Sequence, residues 1–332
     1  PTLFPYADHQ ASAEAATEAI WNEHRESTRG RDLDITGLSY ARLDATGPQQ
    51  WPLPDGATHG RKRLYEDGIF PTPDGRARFA VLAAQGLAES PRLRYPFLLT
   101  TGRLRDQWHG MSRTGTVARL SGHAGAPCVQ MHAQDMARQG LQEGDLACVT
   151  SVRASIVLPA RASAEIAPGQ AFIAMHWGSD WLGGQSAAGR ALAGVNALTT
   201  QVRCPISQQP ALKHTAVKIL TVDLPWQLCA MAWFPEDEAL RARTALAALM
   251  DAFAVASCTL FAAPSSSDAD APARTGVCLM AAGHYAAPDA LLERIEALLG
   301  LASEGTLRYA DRRQGQRRAA RLVRGAAHNT LG

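Results

Sequence analysis

Apolar and polar positions alternate differently along three stretches of the chain. Residues 14–23 repeat at helical spacing, with Ala15, Ala16, Ile20 and Trp21 on one side. The chain then becomes dense in turn signals, among them Gly47-Pro48, Trp51-Pro52, Pro54-Asp55-Gly56 and Pro73-Asp74-Gly75. So long a loop-rich stretch is unusual inside a self-sufficient domain, so it reads as something that packs over a neighbour. From residue 95 the pattern shortens into β-rich runs at 95–100, 127–131, 146–150, 154–158, 171–175 and 216–222. One short helix, 133–138, is stopped by Gly140. Short strands separated by Gly-rich loops predict a mostly-β barrel.

Residues 226–310 change again. Strands are predicted at 226–234, 254–261, 276–282 and 306–309, and amphipathic helices at 235–250 and 288–299. The first helix opens on Pro235 and the acids Glu236, Asp237 and Glu238; the second closes at Gly300. A Ser/Asp/Ala/Pro loop, 264–272, separates the middle strands. The order β-α-β-β-α-β predicts a ferredoxin-like α+β domain. Beyond it, 311–332 reads as a basic tail or linker. Around it Arg308, Arg312, Arg313, Arg317, Arg318, Arg321 and Arg324 face only Asp311, which fits either a solvated segment or a surface for an acidic partner or nucleic acid.

Composition narrows the classes. At 332 residues and 46% hydrophobic the chain has enough apolar material for real cores. A net charge of +2 argues against a dedicated nucleic-acid binder. The lack of an 18-residue apolar run predicts no membrane span, and a cytoplasmic setting is expected. The chain opens on Pro1, not Met, with no charged-then-apolar leader, so either its start has been removed or it is a piece of a longer protein. The six cysteines (Cys128, Cys148, Cys204, Cys229, Cys258 and Cys278) are never closer than 20 residues. Iron–sulfur and structural zinc sites draw on closer ligand pairs, so no metal site is expected here. Their apolar surroundings predict small buried hydrophobes.

Candidate chemistry is concentrated in two loops. The first, residues 100–115, reads TTGRLRDQWHGMSRTG. Arg103, Arg105 and Arg113 can pair with phosphates, Ser112 and Thr114 offer hydroxyls, and Trp108 and His109 offer flat faces. Glycines 102, 110 and 115 permit close backbone approach. That inventory suits an anionic, phosphate-linked heterocycle; an ordinary polar loop has the same composition. The second, Asn196–Thr200 with Cys204–His214, adds amides for ring edges, including Asn196 and Gln209, and Lys213 for a phosphate. His176 ends a strand and reads as a structural hydrogen-bonder rather than a catalyst. No Walker A, GxGxxG, HExxH or GxSxG motif is present, and no catalytic residue is assigned.

The run LLTTGRLRDQWHGMSRTG, residues 98–115, resembles the opening of the molybdopterin-dinucleotide-binding domain of the molybdenum oxidoreductases that carry two guanine dinucleotides. NALTTQVRCPISQQPALKHTAVKI, residues 196–219, resembles its end. GPQQWP (47–52), YEDGIFPTPDGRARF (65–79), AFIAMHWG (171–178) and DRRQGQRRA (311–319) resemble the assimilatory nitrate reductase catalytic subunits within that family. The resemblance implies a double-psi β-barrel over 92–222, with residues 1–91 belonging to the preceding oxidoreductase domain. It implies the cofactor Mo-bis(molybdopterin guanine dinucleotide). Thr101, Gly102, Arg103, Trp108, His109, Ser112 and Thr114 would line the pterin and pyrophosphate, and Asn196, Gln209 and Lys213 would close on it from the second loop. The implied reaction is two-electron reduction of nitrate to nitrite, fed by an electron-donor protein or domain. The 4Fe-4S cluster and the molybdenum-ligating cysteine of such enzymes are expected only on a missing N-terminal part, so this chain alone is expected to be inactive. Two other readings stay open: part of a related enzyme such as a formate dehydrogenase, and a non-catalytic double-psi barrel acting as a binding or adaptor protein.

Overall fold

The computed structural model describes residues 12–79, 81, 86–185, 191–192, 194–205, 207–211, 213–262, 274–311, 313–323 and 326–331. The expected loop at 264–272 lies outside the described residues, as do Arg312 and Arg324. The chain forms two compact units, residues 1–84 and 85–332.

In the first unit, α1 (Ala13–Glu26) starts where the Ser12 hydroxyl accepts from the Ala15 N–H at 3.2 Å. A second helix the pattern did not predict, α2 (Tyr40–Thr46), is capped in the same way by Ser39. Trp21 joins them, stacking on Tyr40 and donating its indole N–H to the Leu38 carbonyl at 2.7 Å. Residues 47–79 then carry no helix or strand, as their Gly/Pro/Asp density predicts.

The second unit begins with a closed, mixed six-stranded barrel in the order β1-β5-β2-β4-β3-β7. The strands are β1 (Phe97–Gly102), β2 (Val129–Met131), β3 (Leu146–Thr150), β4 (Ser155–Ala162), β5 (Gln170–Ala174) and, after a two-residue β6 (Leu182–Gly183), β7 (His214–Thr221). Burial alternates along β1 and β3, as a strand with one face on a core requires. Leu99, Val129, Met131, Val149, Leu158, Ile173, Val217 and Ile219 fill the interior. β1 runs parallel to β5 and antiparallel to β7, so Gly102 lies beside Ala174 and Thr100 beside His214. The loops that leave β1 and β5 and the loop that enters β7 therefore share one end of the barrel. α3 (Ala133–Arg138) falls where predicted and stops before Gly140, which has φ +67°.

The rest of the second unit is a seven-stranded sheet ordered β11-β12-β13-β8-β10-β9-β6. Its strands are β8 (Trp226–Phe234), β9 (Val255–Ala262), β10 (Thr275–Gly283), β11 (Leu307–Asp311), β12 (Gln316–Val323) and β13 (Ala326–Leu331). α4 (Glu236–Ala247) and α5 (Asp289–Leu298) bury Ala239, Leu246, Leu292 and Ile295 against Leu228, Ala230, Leu260 and Leu279.

Two expectations are corrected. The predicted strand at 306–309 lies in β11, which pairs with β12, while the place beside β8 goes to β13. The segment expected as a basic tail or linker carries β12 and β13. Nor are the arginines in and around it simply solvated: Arg317, and Arg308 of β11, both ion-pair with the buried Glu296 of α5, Arg317 at 2.8 Å. A buried carboxylate needs such partners, and counting charges along a sequence cannot find them. No helix among the described residues is long and apolar enough to cross a membrane.

A polar latch holds the barrel together at the turn between β3 and β4. Arg153 there forms a two-pronged ion pair with Glu89, donates to the Leu198 carbonyl at 3.0 Å and reaches the Thr215 hydroxyl of β7 at 2.6 Å. Thr215 in turn donates to Glu89 at 2.5 Å. The Arg153 guanidinium and these hydrogen bonds outweigh burial and hold the Glu89 carboxyl down at about 2. A depressed carboxylate stabilises the fold fully above its unfolded value near 4.5, and the stabilisation disappears as pH falls toward about 2. Glu89→Gln is expected to cost about 1–3 kcal/mol at pH 7. Urea melts of both proteins from pH 7 to pH 2 check this: the gap should close in acid, and a gap independent of pH would exclude the latch.

Candidate functional site

The loop after β1 is shaped by one buried histidine. His176, just past β5, is fully buried. Its Nε2 accepts from the Leu104 N–H at 2.9 Å, so Nε2 carries no proton. The proton is on Nδ1, which donates to the His109 carbonyl at 2.5 Å. Burial is the main cause that lowers the His176 pKa, with Arg103 and His109 nearby contributing to the same shift. The ring thus stays neutral and pins both ends of residues 104–109.

At and just past the second pin the chain takes left-handed backbone at His109 (φ 43°) and Met111 (φ 61°), which non-glycine residues seldom adopt. The turn is held by Met111 N–H to the Trp108 carbonyl (2.8 Å), Gly115 N–H to the Met111 carbonyl (2.9 Å) and Trp108 N–H to the Thr114 hydroxyl (3.1 Å). Exposed side chains stand on it. Arg103 lies over the Trp108 ring at 4.7 Å, and His109 meets that ring edge-on at 4.6 Å. Ser112 and Arg113 are exposed beside them.

Of the three glycines expected to admit a ligand, only Gly110 faces open space. A Cβ on Gly102 would lie 3.1 Å from the Phe172 ring, and one on Gly115 would lie 2.4 Å from Trp181. Those two are needed for packing. Thr101 is buried in β1. Arg105 is held by its neighbour Asp106 at 2.8 Å. Arg103, Arg113 and Lys213 have no carboxylate partner among the described residues.

The second cluster is tied to the same place. The Val195 N–H donates to the Trp177 carbonyl at 3.0 Å, one residue past His176, and Gly194 packs so closely on Gly178 that a Cβ there would clash. Asn196 is exposed on the short 3-10 turn that follows. Gln209 and Lys213 are exposed on the loop that runs into β7, where the Cys204 N–H donates to the Gln209 carbonyl at 2.8 Å. The structure thus sets Thr101, Gly102 and the loop after β1 at the same barrel end as the loop that runs into β7, which carries Gln209 and Lys213, and ties the Asn196 turn to Trp177. Two buried polar atoms there, Gln107 Oε1 and His214 Nε2, have no hydrogen-bond partner.

Other contributors carried no signal in the sequence. Trp181 donates to the Gly110 carbonyl at 3.2 Å, and Arg243 of α4 lies over the Trp181 ring at 3.9 Å and donates to the Asp180 carbonyl. With Ser112 and Thr116 they line a cleft of about 250 Å³. Burial lowers the Arg243 pKa.

His176→Phe keeps the ring volume but strands the Leu104 N–H. It is expected to cost about 1–3 kcal/mol and to speed amide exchange across 104–110. Because the folded pKa lies below the usual histidine value, the wild-type contribution is full above about pH 6.5 and declines below it. Exchange rates unchanged in the variant would count against the anchor. Gly115→Ala should destabilise by about 1–3 kcal/mol as the new methyl meets Trp181 and Met111, read as a lower melting temperature.

Comparison with known proteins follows the same geometry. Residues 97–216 match the family described as Molydopterin dinucleotide binding domain. The chain is 38% identical over 208 residues to a nitrate reductase from Synechocystis, covering 61% of this chain and 28% of that protein. It is 29% identical to an assimilatory nitrate reductase catalytic subunit from Bacillus subtilis, covering 62% and 28%. It is 31% identical to a formate dehydrogenase alpha subunit from Methanocaldococcus jannaschii, covering 61% and 27%. The chain thus spans little more than a quarter of these relatives. Residues 97–216, which span the barrel strands from β1 to β7, thus match a molydopterin dinucleotide binding domain, and nitrate reductases and a formate dehydrogenase subunit are among the proteins this chain is similar to.

Proposed function

We propose that this chain is the C-terminal, cofactor-holding portion of a molybdenum-dependent assimilatory nitrate reductase. The observation that carries the reading is the meeting of two loops at one barrel end, with the cations Arg103, Arg113 and Lys213 free of carboxylates among the described residues. Unmatched cations around an open glycine and unpartnered buried polar atoms fit a large anionic ligand with a heterocyclic end. The residues present therefore suit Mo-bis(molybdopterin guanine dinucleotide). When bound, that group supplies the metal chemistry of two-electron oxygen-atom transfer from nitrate.

The chain's own residues bind and orient. Arg103 and Lys213 would meet the pyrophosphate charge from opposite loops. Trp108 and His109 offer faces for the ring system, and Ser112 and Thr114 offer hydroxyls. Asn196 and Gln209 would read ring edges. Thr101 and Gly102 act from behind, where β1 packs on β5. No residue here is assigned a proton-transfer role. Electrons would come from a donor protein or domain through a cluster on a preceding part, so the chain alone is expected to be inactive. On this reading the barrel is a double-psi barrel over 92–222, followed by the seven-stranded sheet with its two helices.

The similarity to a formate dehydrogenase subunit supports a second reading, in which the same cradle serves a different reaction. The whole gene, expressed in a bacterium deleted for its own assimilatory nitrate reductase, should restore growth on nitrate as sole nitrogen source. Loss of nitrate growth with formate oxidation intact would select the second reading. Arg103→Ala combined with Lys213→Ala should lower guanine nucleotide released on acid denaturation by about tenfold, with the fold retained. Unchanged nucleotide content would remove both residues from the cradle.

A further inference from the structure

The outer face of the second sheet carries a feature the cofactor site does not use. In the register of β8 against β10, Cys229 lies opposite Met280 and Met231 opposite Cys278. Side chains two apart on a strand share a face, so these four form a square of sulfurs on one face of the sheet. The other face is the one packed under α4 and α5, where Leu228, Ala230, Leu279 and Ala281 are buried. Cys229, Met231 and Cys278 are half-buried and Met280 is exposed, so the square is open to small solutes.

Its surroundings are soft and mostly apolar. Cys229 and Met280 open onto a cleft of about 300 Å³ between this sheet and the barrel, shared with Leu146, Val157, Pro159 and Ser257. No carboxylate or imidazole lines it. Nor does any group of three His, Cys, Asp or Glu able to hold a metal occur among the described residues. Hard cations and ordinary zinc geometry therefore lack ligands there. Two thiols and two thioethers are instead the donor set of a soft, monovalent d10 ion.

The two thiols also touch. Cys278 hydrogen-bonds to Cys229, which holds the Cys229 thiol down at about 7 and pushes Cys278 up. Cys258, on the helix-covered face, is pushed up to about 12 by burial and is inert by comparison.

We propose that Cys229, Cys278, Met231 and Met280 form a binding site for Cu(I). Binding replaces up to two protons, one from each thiol, and moves no electrons. The site stands apart from the cofactor reading and does not depend on it.

The test titrates the reduced 332-residue chain, without oxygen, against Cu(I) held by bathocuproine disulfonate. The chain should withdraw one equivalent. Cys229→Ser and Cys278→Ser should each weaken retention about a hundredfold, and Met231→Leu with Met280→Leu about tenfold. Cys258→Ser should leave it unchanged. The Met pair keeps side-chain volume, so it reads the site even if a cysteine variant misfolds. Failure of the wild type to compete, or an equivalent retained by the Cys229→Ser/Cys278→Ser protein, overturns the proposal. So does a 229–278 disulfide whose reduction leaves no Cu(I) binding.

Discussion

Barrel closure through β1 is the constraint on which the rest depends. One edge of this strand runs parallel to β5 and the other antiparallel to β7. That pairing alone sends the ends of three distant segments to the same rim. Nothing in those segments attracts them to each other directly. Their side chains are mostly polar and solvent-facing, and the apolar alternation inside the barrel does the gathering. The gathering of these loops at one rim is therefore a by-product of core packing, and substitutions deep in β1 would be felt at the surface.

Three polar devices then turn a gathered rim into a defined one. His176 fixes both ends of the first loop with a single neutral ring. Arg153 ties the β3–β4 turn to Leu198, which ends the turn that carries Asn196. Arg243 and Trp181 bring the helix-covered sheet to the back of residues 110–116. Each device ties down a backbone carbonyl or N–H of a loop. The exposed loops can thus hold left-handed backbone at His109 and Met111 without help from neighbouring side chains on the surface.

Much of this was legible in the sequence, for a physical reason. Strand alternation and helix capping are local, so β3, β8 and α3 were placed to the residue, and β1 and β5 within two. The loop after β1 drew attention because arginine, glycine and tryptophan cluster in it. Pairing partners were not legible. The basic residues after Asp311 look like a solvated run until Glu296, on another element, supplies their counter-charge. The same holds for Cys229 and Cys278: each sits in an apolar stretch and reads as core, yet the register puts both on the outer face. Gly102 and Gly115 were read for a ligand, and the aromatic rings that need them lie 70 and 66 residues away. Composition shows that a glycine is required somewhere, and only the fold shows what it makes room for.

The two-residue strand β6 has a consequence for the order in which the molecule can be made. Leu182 and Gly183 pair with Ser257 and Ala256 of β9, and the Cys258 N–H donates to the Trp181 carbonyl. A ribosome delivers residues 178–183 long before β9 exists, so the nascent barrel emerges with one wall of its rim unsupported. That wall is complete only when the following α/β layer has folded, and β13 must then arrive to cover the far side of β8. The 181–183 side of the barrel thus gains its pairing only after β9 has been made.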